Sequence, residues 1–168
     1  MPSLQFFLFR SMMPFLRRSQ SRFKTHDKDA LARFRRRSER LVNITFSLPR
    51  EVSLENSNIG GVPGDWLIPR NALADPVILF LHGGGIVFGW SNSFRRMLAY
   101  TAKFSALRAF GVDYRLAPEH TYPAAHNDCF TVYQTLVQQG KQIVLVGESS
   151  GGVLALATML RARAEDMP

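Results

Sequence analysis

Apolar and polar positions change rhythm along the chain in a regular order. Residues 44–48 and 52–54 alternate, which predicts short half-buried strands, and 65–68 (DWLI) continue the strand pattern. Residues 58–64 (NIGGVPG) supply turn chemistry between them. Such strands read as antiparallel edge strands ahead of a parallel sheet, with Trp66 as packing. Residues 77–81 (VILFL) and 143–146 (IVLV) are unbroken apolar runs, the pattern of strands buried on both faces, and 108–114 supplies another strand. Between these strands the period shifts to that of a helix. Ser91 or Ser93 caps one helix with Phe94, Met97, Leu98, Thr101 and Ala102 on one face. Pro123 opens a second, with Ala125, Cys129, Val132, Tyr133, Leu136 and Val137 inward and Gly140 ending it. Residues 153–160 (VLALATML) are apolar all round and predict a buried helix.

Strands alternating with helices imply an α/β protein with a mostly parallel sheet, in which ligands bind beyond the C-terminal ends of the strands. His82, Asp113 and Ser149 all fall at such ends. At 168 residues the chain is long enough for one domain with a real core.

Charge matters once it is located. Residues 1–50 hold 12 of the 21 Lys/Arg but 3 of the 13 Asp/Glu, a balance of +9 against −1 for the rest. The basicity belongs to an N-terminal segment. Residues 1–24 carry no acid and mix Phe6, Phe7, Leu8 and Phe9 with Arg10, Arg17, Arg18 and Arg22. Arg10 and Pro14 break the apolar run, so it is too short to span a membrane and too poor for a secretory core. A peripheral membrane contact and an organellar targeting peptide are sharp readings of it; a basic flap or frayed end is the plain one. Residues 28–41 place Leu31, Phe34, Ser38 and Leu41 on one stripe and five arginines elsewhere, an amphipathic helix. No aromatic platform accompanies those arginines, so a solvated face is expected in place of nucleic-acid binding. The single cysteine, Cys129, excludes an internal disulfide framework and points to a reducing, cytoplasmic setting.

Two motifs carry chemistry. Gly147-Glu148-Ser149-Ser150-Gly151 matches G-x-S-x-G in the context of strand, tight turn and helix, the context of a nucleophile elbow. Small neighbours let strand and helix pass closely, and the helix N-terminus favours developing negative charge at Ser149. The second motif is His82-Gly83-Gly84-Gly85. Consecutive glycines after a strand expose N–H groups that can stabilise an oxyanion, worth roughly 10²–10³ in rate per donor. The loop fits neither phosphate-binding pattern, G-x-x-x-x-G-K-[ST] or G-x-G-x-x-G. His82 reads as a loop-positioning group, not a base.

HGGG at 82–85, DYRLAPEHTYPAA at 113–125 with Asp128 just beyond, and GESSGG at 147–152 resemble the hormone-sensitive-lipase family of α/β-hydrolase esterases, over roughly residues 43–163. That resemblance implies an α/β-hydrolase fold with an N-terminal helical cap segment (residues 1–42) before the N-terminal part of a catalytic domain (43–168). It implies hydrolysis of a small-molecule or acyl-lipid ester with no cofactor and no metal. Ser149 would be the nucleophile, and Gly83, Gly84 and the N–H of Ser150 the oxyanion hole. His82, Gly85, Asp113 and Glu148 would support them.

One departure is large. The fold's triad runs serine, then acid, then histidine. The nineteen residues after Ser149 contain Glu165 and Asp166 but no histidine; His26, His82, His120 and His126 all precede it. The expectation is a chain truncated after the nucleophile helix, without its triad acid and base, and with 143–146 as an unpaired apolar edge. A pseudoenzyme binding hydrophobic ligands and a membrane-surface fragment stand as alternatives. The sequence does not indicate the oligomeric state.

Overall fold

The computed structural model describes residues 31–33, 35, 36 and 47–168. The basic stretch 1–24, His26, both ends of the helix expected at 28–41 and residues 44–46 of the first expected strand lie outside the described residues. The chain divides into two compact units, Met1–Ser38 and Glu39–Pro168. In the first, residues 31–33, 35 and 36 are helical.

The second unit holds one five-stranded mixed sheet. Its strands are β1 (Val52–Ile59), β2 (Val62–Pro69), β3 (Leu73–Leu81), β4 (Leu107–Val112) and β5 (Ile143–Gly147), in the order β1-β2-β4-β3-β5. β1, β2 and β4 pair antiparallel, whereas β4, β3 and β5 run parallel. The helices are α1 (Asn92–Ser105), α2 (Ala124–Gln138) and α3 (Ser150–Ala164). The expected antiparallel strands at the start are thus present, but Ser47 and Leu48 are outside any strand and the turn is tighter than expected. It consists of Gly60 and Gly61, with φ of 61° and 86°. Two successive left-handed residues match the twist of a two-residue hairpin.

Side-chain alternation along the central strands builds two cores. Val77, Leu79 and Leu81 of β3, with Phe110 and Val112 of β4, face α2 and α3. Ile78 and Phe80, with Ala109, face α1. This is the period-two logic of a strand covered on both faces. On α2 the buried residues include Ala125, Cys129, Val132, Tyr133 and Leu136. Gly140, at φ 76°, follows the helix end, where its N–H meets the Val137 carbonyl. Pro123 stands one residue ahead of the helix. Burial pushes the Cys129 thiol far above its usual range, so it is packing and not a nucleophile.

Three expectations need correction. On α1 the buried positions are Leu98, Ala99 and Ala102, while Met97 and Thr101 are exposed. The face is turned by about one residue because Ala99 lets the helix lie close on the sheet. Ser91 is the N-cap, yet its hydroxyl bonds Ser93 (2.8 Å) and not the helix backbone. The largest correction concerns α3. Leu154 is fully buried, but Val153, Leu156, Met159 and Leu160 are 57–61% exposed. β5 lies at the edge of the sheet, as expected of 143–146: among the described residues it pairs with β3 alone and leaves Val144 exposed. An all-apolar pattern reports compatibility with burial on every side; here α2 and the sheet cover one side only.

That one-sidedness predicts a split mutational response. Leu154→Ala costs about 2–5 kcal/mol in urea denaturation, whereas Leu156→Lys on the same helix stays within about 0.5 kcal/mol. A large loss at Leu156 would mean that its side chain is covered.

Candidate active site

The site begins where β5 ends. After Gly147 the backbone reverses so sharply that Ser149 takes φ 51° and ψ −120°, strained for a residue with a side chain. Ser149 is the N-cap of α3, and its hydroxyl makes no capping hydrogen bond. Two glycines make the turn sterically open. A Cβ on Gly147 would lie 2.4 Å from the Gly151 carbonyl oxygen, and one on Gly151 would lie 2.0 Å from that of Leu81. The Glu148 N–H donates to the Leu81 carbonyl (3.1 Å), carrying the β3–β5 ladder into the turn. Ser149 stays exposed at the helix N-terminus, where unpaired N–H groups concentrate positive potential.

Beside this elbow lies the loop that follows β3. Gly84, Gly85 and Ile86 take φ of 106°, 65° and 60°. The Gly85 N–H donates to Ser150 Oγ (2.8 Å), so the glycine loop and the elbow are tied together. The Gly84 carbonyl accepts from the N–H groups of Val87 (3.1 Å) and Phe88 (3.0 Å). Among the described residues no acceptor takes the N–H of Gly83 or Gly84. Gly83 packs against Glu148, whose carboxylate oxygen would be 1.9 Å from a Cβ there. The structure therefore brings together His82, Gly83, Gly84, Gly85, Glu148, Ser149 and Ser150. It leaves Asp113 apart: that residue follows the end of β4 with its side chain exposed and its N–H on the Pro63 carbonyl (3.0 Å).

His82 is fully buried. Its ring stacks on Tyr114 (4.1 Å between centroids, 4° between planes) and lies 5.3 Å from Phe94. Nδ1 is 2.7 Å from the Gly83 carbonyl oxygen, which can only accept, so Nδ1 carries the proton. Nε2 has no partner. Burial pulls the imidazole pKa down to about 4, opposed by the Gly83 hydrogen bond. A neutral, enclosed ring of this kind holds a loop and does not act as general base. His120 is exposed, and His126 packs edge-on against Tyr122 (5.0 Å). No histidine among the described residues hydrogen-bonds Ser149.

Sequence reasoning missed three supports. Tyr114, 1% exposed, donates its hydroxyl to the His82 carbonyl (2.7 Å). Asp65, 2% exposed, accepts from Trp90 Nε1 (2.7 Å) and Asn56 Nδ2 (2.6 Å) and pairs with Arg95, which fixes the far end of the glycine loop at Trp90. The local signal for Asp65 was a lone acid inside an apolar strand. Asp128, just beyond the 113–125 motif, takes a forked contact from Arg115 (2.7 Å at its shortest) and holds the 113–123 loop on α2.

Parallel strands bearing a strained serine elbow beside a glycine loop define an α/β-hydrolase type of site. A family model for the alpha/beta hydrolase fold matches residues 78–168, more than half of the chain, and the chain belongs to that family. It is 38% identical over 115 residues to an esterase of Acinetobacter venetianus, covering 67% of this chain and 38% of that protein. To a carboxylesterase/phospholipase of Mycobacterium tuberculosis it is 42% identical over 96 residues, covering 55% and 26%. A crystal structure of an esterase from the bacterial hormone-sensitive lipase family aligns with a TM-score of 0.76 at 35% identity, over 88% of this chain and 48% of that one. A hormone-sensitive lipase from a metagenome library aligns at 0.75 and 37%, over 82% and 48%. The chain spans less than half the length of these relatives. The resemblance to the hormone-sensitive-lipase esterases thus holds at the level of sequence and of structure. Among the described residues no helix is long and apolar enough to cross a membrane.

The buried imidazole makes stability depend on pH. Its pKa is about 4 in the folded chain and near 6.5 in the unfolded one. The unfolded state therefore takes up the proton first as pH falls. The stability His82 confers is complete above about 6.5, is lost progressively toward about 4, and is flat below. The loss over that window is on the order of 3 kcal/mol. His82→Asn supplies an amide donor in place of Nδ1 but does not titrate. Denaturant titrations at both ends of the window should show a correspondingly smaller pH dependence for the variant.

Proposed function

We propose that this chain carries the nucleophile and the oxyanion donors of a serine carboxylic-ester hydrolase. The observation that carries the reading is the backbone of Ser149, held at φ 51° and ψ −120° at the N-terminus of α3, within one hydrogen bond of the glycine loop. Strain at a serine with an uncommitted hydroxyl is the arrangement expected of an exposed nucleophile. In the proposed reaction Ser149 Oγ attacks the ester carbonyl as its proton passes to a general base, and the carbonyl oxygen gains the negative charge. The N–H groups of Gly83 and Gly84, and that of Ser150 at the first turn of α3, donate hydrogen bonds to that oxyanion. Collapse breaks the bond to the leaving oxygen, which takes up that proton and departs as the alcohol, and leaves an acyl-enzyme that water then hydrolyses.

Glu148 and His82 act as supports in this scheme. Gly85 serves by holding Ser150, since its own N–H is already used. The general base comes from outside the described residues, because none of them places an imidazole on Ser149. The names of the relatives support small-molecule esters as substrates: an esterase, a carboxylesterase/phospholipase, and a versiconal hemiacetal acetate esterase of Emericella nidulans. A peripheral membrane contact through residues 1–24 and a cytoplasmic setting remain parts of this proposal. They rest on the basic, apolar composition of that stretch and on the single buried cysteine.

The test is labelling by a fluorophosphonate probe with turnover of p-nitrophenyl butyrate. Residues 1–168 alone should give turnover at the level of a base-less serine, down by about 10⁶-fold from an intact triad. Supplying the general base should restore both signals, and Ser149→Ala should abolish them. Strong labelling of the 168-residue chain that vanishes with Ser149→Ala would place a base within it. Labelling that survives Ser149→Ala would remove Ser149 from the mechanism.

A further inference from the structure

The glycine loop has its carbonyls anchored one after another, and the first anchor is the Tyr114 hydroxyl. In a planar trans peptide the C=O of one residue and the N–H of the next point in opposite directions. Whatever fixes a carbonyl therefore aims the following N–H. The His82 carbonyl is held by the Tyr114 hydroxyl at 2.7 Å, which sets the direction of the Gly83 N–H. The Gly83 carbonyl is held by His82 Nδ1 at 2.7 Å, which sets that of Gly84. The Gly84 carbonyl is held by Val87 and Phe88, and the Gly85 N–H opposite it reaches Ser150 Oγ on the elbow. The third peptide plane shows which way the series is turned.

We propose that Tyr114 is a positioning residue for the oxyanion donors: its hydroxyl and its ring together orient the N–H groups of Gly83 and Gly84 toward the reacting acyl oxygen. The hydroxyl acts directly on the first peptide plane. The ring acts on the second through the imidazole, which it holds at 4.1 Å and 4° so that Nδ1 meets the Gly83 carbonyl. Glycines have no side chains with which to fix their own peptide planes, and Gly84, at φ 106°, lies in a region where the backbone is otherwise free to move. Tyr114 is suited to the task because it is buried to 1% exposure, leaving its hydroxyl no water to choose instead. Burial also pushes its pKa well above the usual range, so it stays a donor at every working pH.

This inference rests on the esterase reading, and the experiment separates the two. Tyr114→Phe keeps the stack and removes the donor. In the protein with its general base in place, kcat should fall about tenfold, short of the loss of a whole donor, while KM changes by less than about twofold. The amide NMR signal of Gly83 should shift, and those of Gly60 and Gly61 in the distant hairpin should not. Tyr133→Phe removes another hydroxyl from the same core without touching the loop, and should leave kcat unchanged. Unchanged kcat and an unmoved Gly83 amide in Tyr114→Phe would overturn the proposal, as would an equal kcat loss in Tyr133→Phe. If the unsubstituted protein with its general base in place neither labels nor turns over, the esterase reading fails, and the Gly83 amide still reports whether Tyr114 sets the plane. Should the Phe variant not fold, a Tyr114 hydroxyl proton that resists exchange in the wild type supports the anchor. One exchanging freely with water overturns it.

Discussion

The first turn of α3 lies directly against the backbone at the end of β3, and the candidate site depends on that approach. A single added carbon on Gly151 would sit 2.0 Å from the Leu81 carbonyl oxygen and 2.6 Å from that of His82. No side chain larger than hydrogen permits this. Because the helix comes so close, the chain leaving β5 has only two residues, Glu148 and Ser149, in which to reverse, and the cost falls on Ser149 as a left-handed φ. Strain of that sort amounts to about 1–3 kcal/mol and persists only where the surroundings over-determine the backbone. Here they do: the ladder bond from Glu148 to Leu81, the helix-start bonds from Gly151 to Glu148 and from Gly152 to Ser149, and the Gly147–Gly151 contact leave the turn no other path.

The same packing makes the glycine loop a rigid object in spite of its composition. Three glycines in a row would ordinarily be the most mobile stretch of a chain. Each carbonyl from His82 to Gly84 instead has a donor, and for two of the three carbonyls that donor is an aromatic side chain in the core. The far end of the loop is pinned at Trp90, whose indole N–H reaches the buried Asp65 carboxylate and whose ring lies 6.0 Å from Phe80. A buried carboxylate is expensive unless fully paired, and Asp65 has three partners, Asn56, Trp90 and Arg95. Preorganised dipoles of this kind need no rearrangement when charge develops.

How much of this was legible in the sequence follows from which interactions are local. The β3 and β5 runs, the elbow and the HGGG turn could be read because strand, glycine and serine chemistry is written within ten residues. Gly60-Gly61 and Gly140 were readable for the same reason. What escaped was long-range. Nothing near Tyr114 says that its hydroxyl will meet a carbonyl thirty-two positions earlier. The Asp65–Trp90–Arg95 cluster likewise joins residues from two elements. The buried face of α1 was misplaced by one position because small residues, here Ala99 and Ala102, compete with Phe94 and Met97 for the closest approach. The exposed side of α3 is illegible for a different reason: a uniformly apolar helix has no preferred face in its own sequence, and only its neighbours decide which side is wet.

That last point bears on how the site is held. β4 and β3 are covered on both faces, with Leu79, Leu81, Phe110 and Val112 at 0% exposure. β5 carries the elbow yet pairs only with β3, and Val144 lies open on the side away from α2 and α3. Every contact described here that fixes Ser149 therefore arrives from one direction: the β3 carbonyls, the glycine loop and the buried stripe of α3 around Leu154. A strand supported on one side opens at lower free energy than one within a sheet. The elbow escapes that weakness because its hydrogen bonds run to the better-buried neighbour. Ser149 can thus keep its strained backbone at the edge of the described sheet. Leu81, the residue that both Glu148 and Gly151 lean on, sits at the interior end of β3 and carries the constraint for all of them.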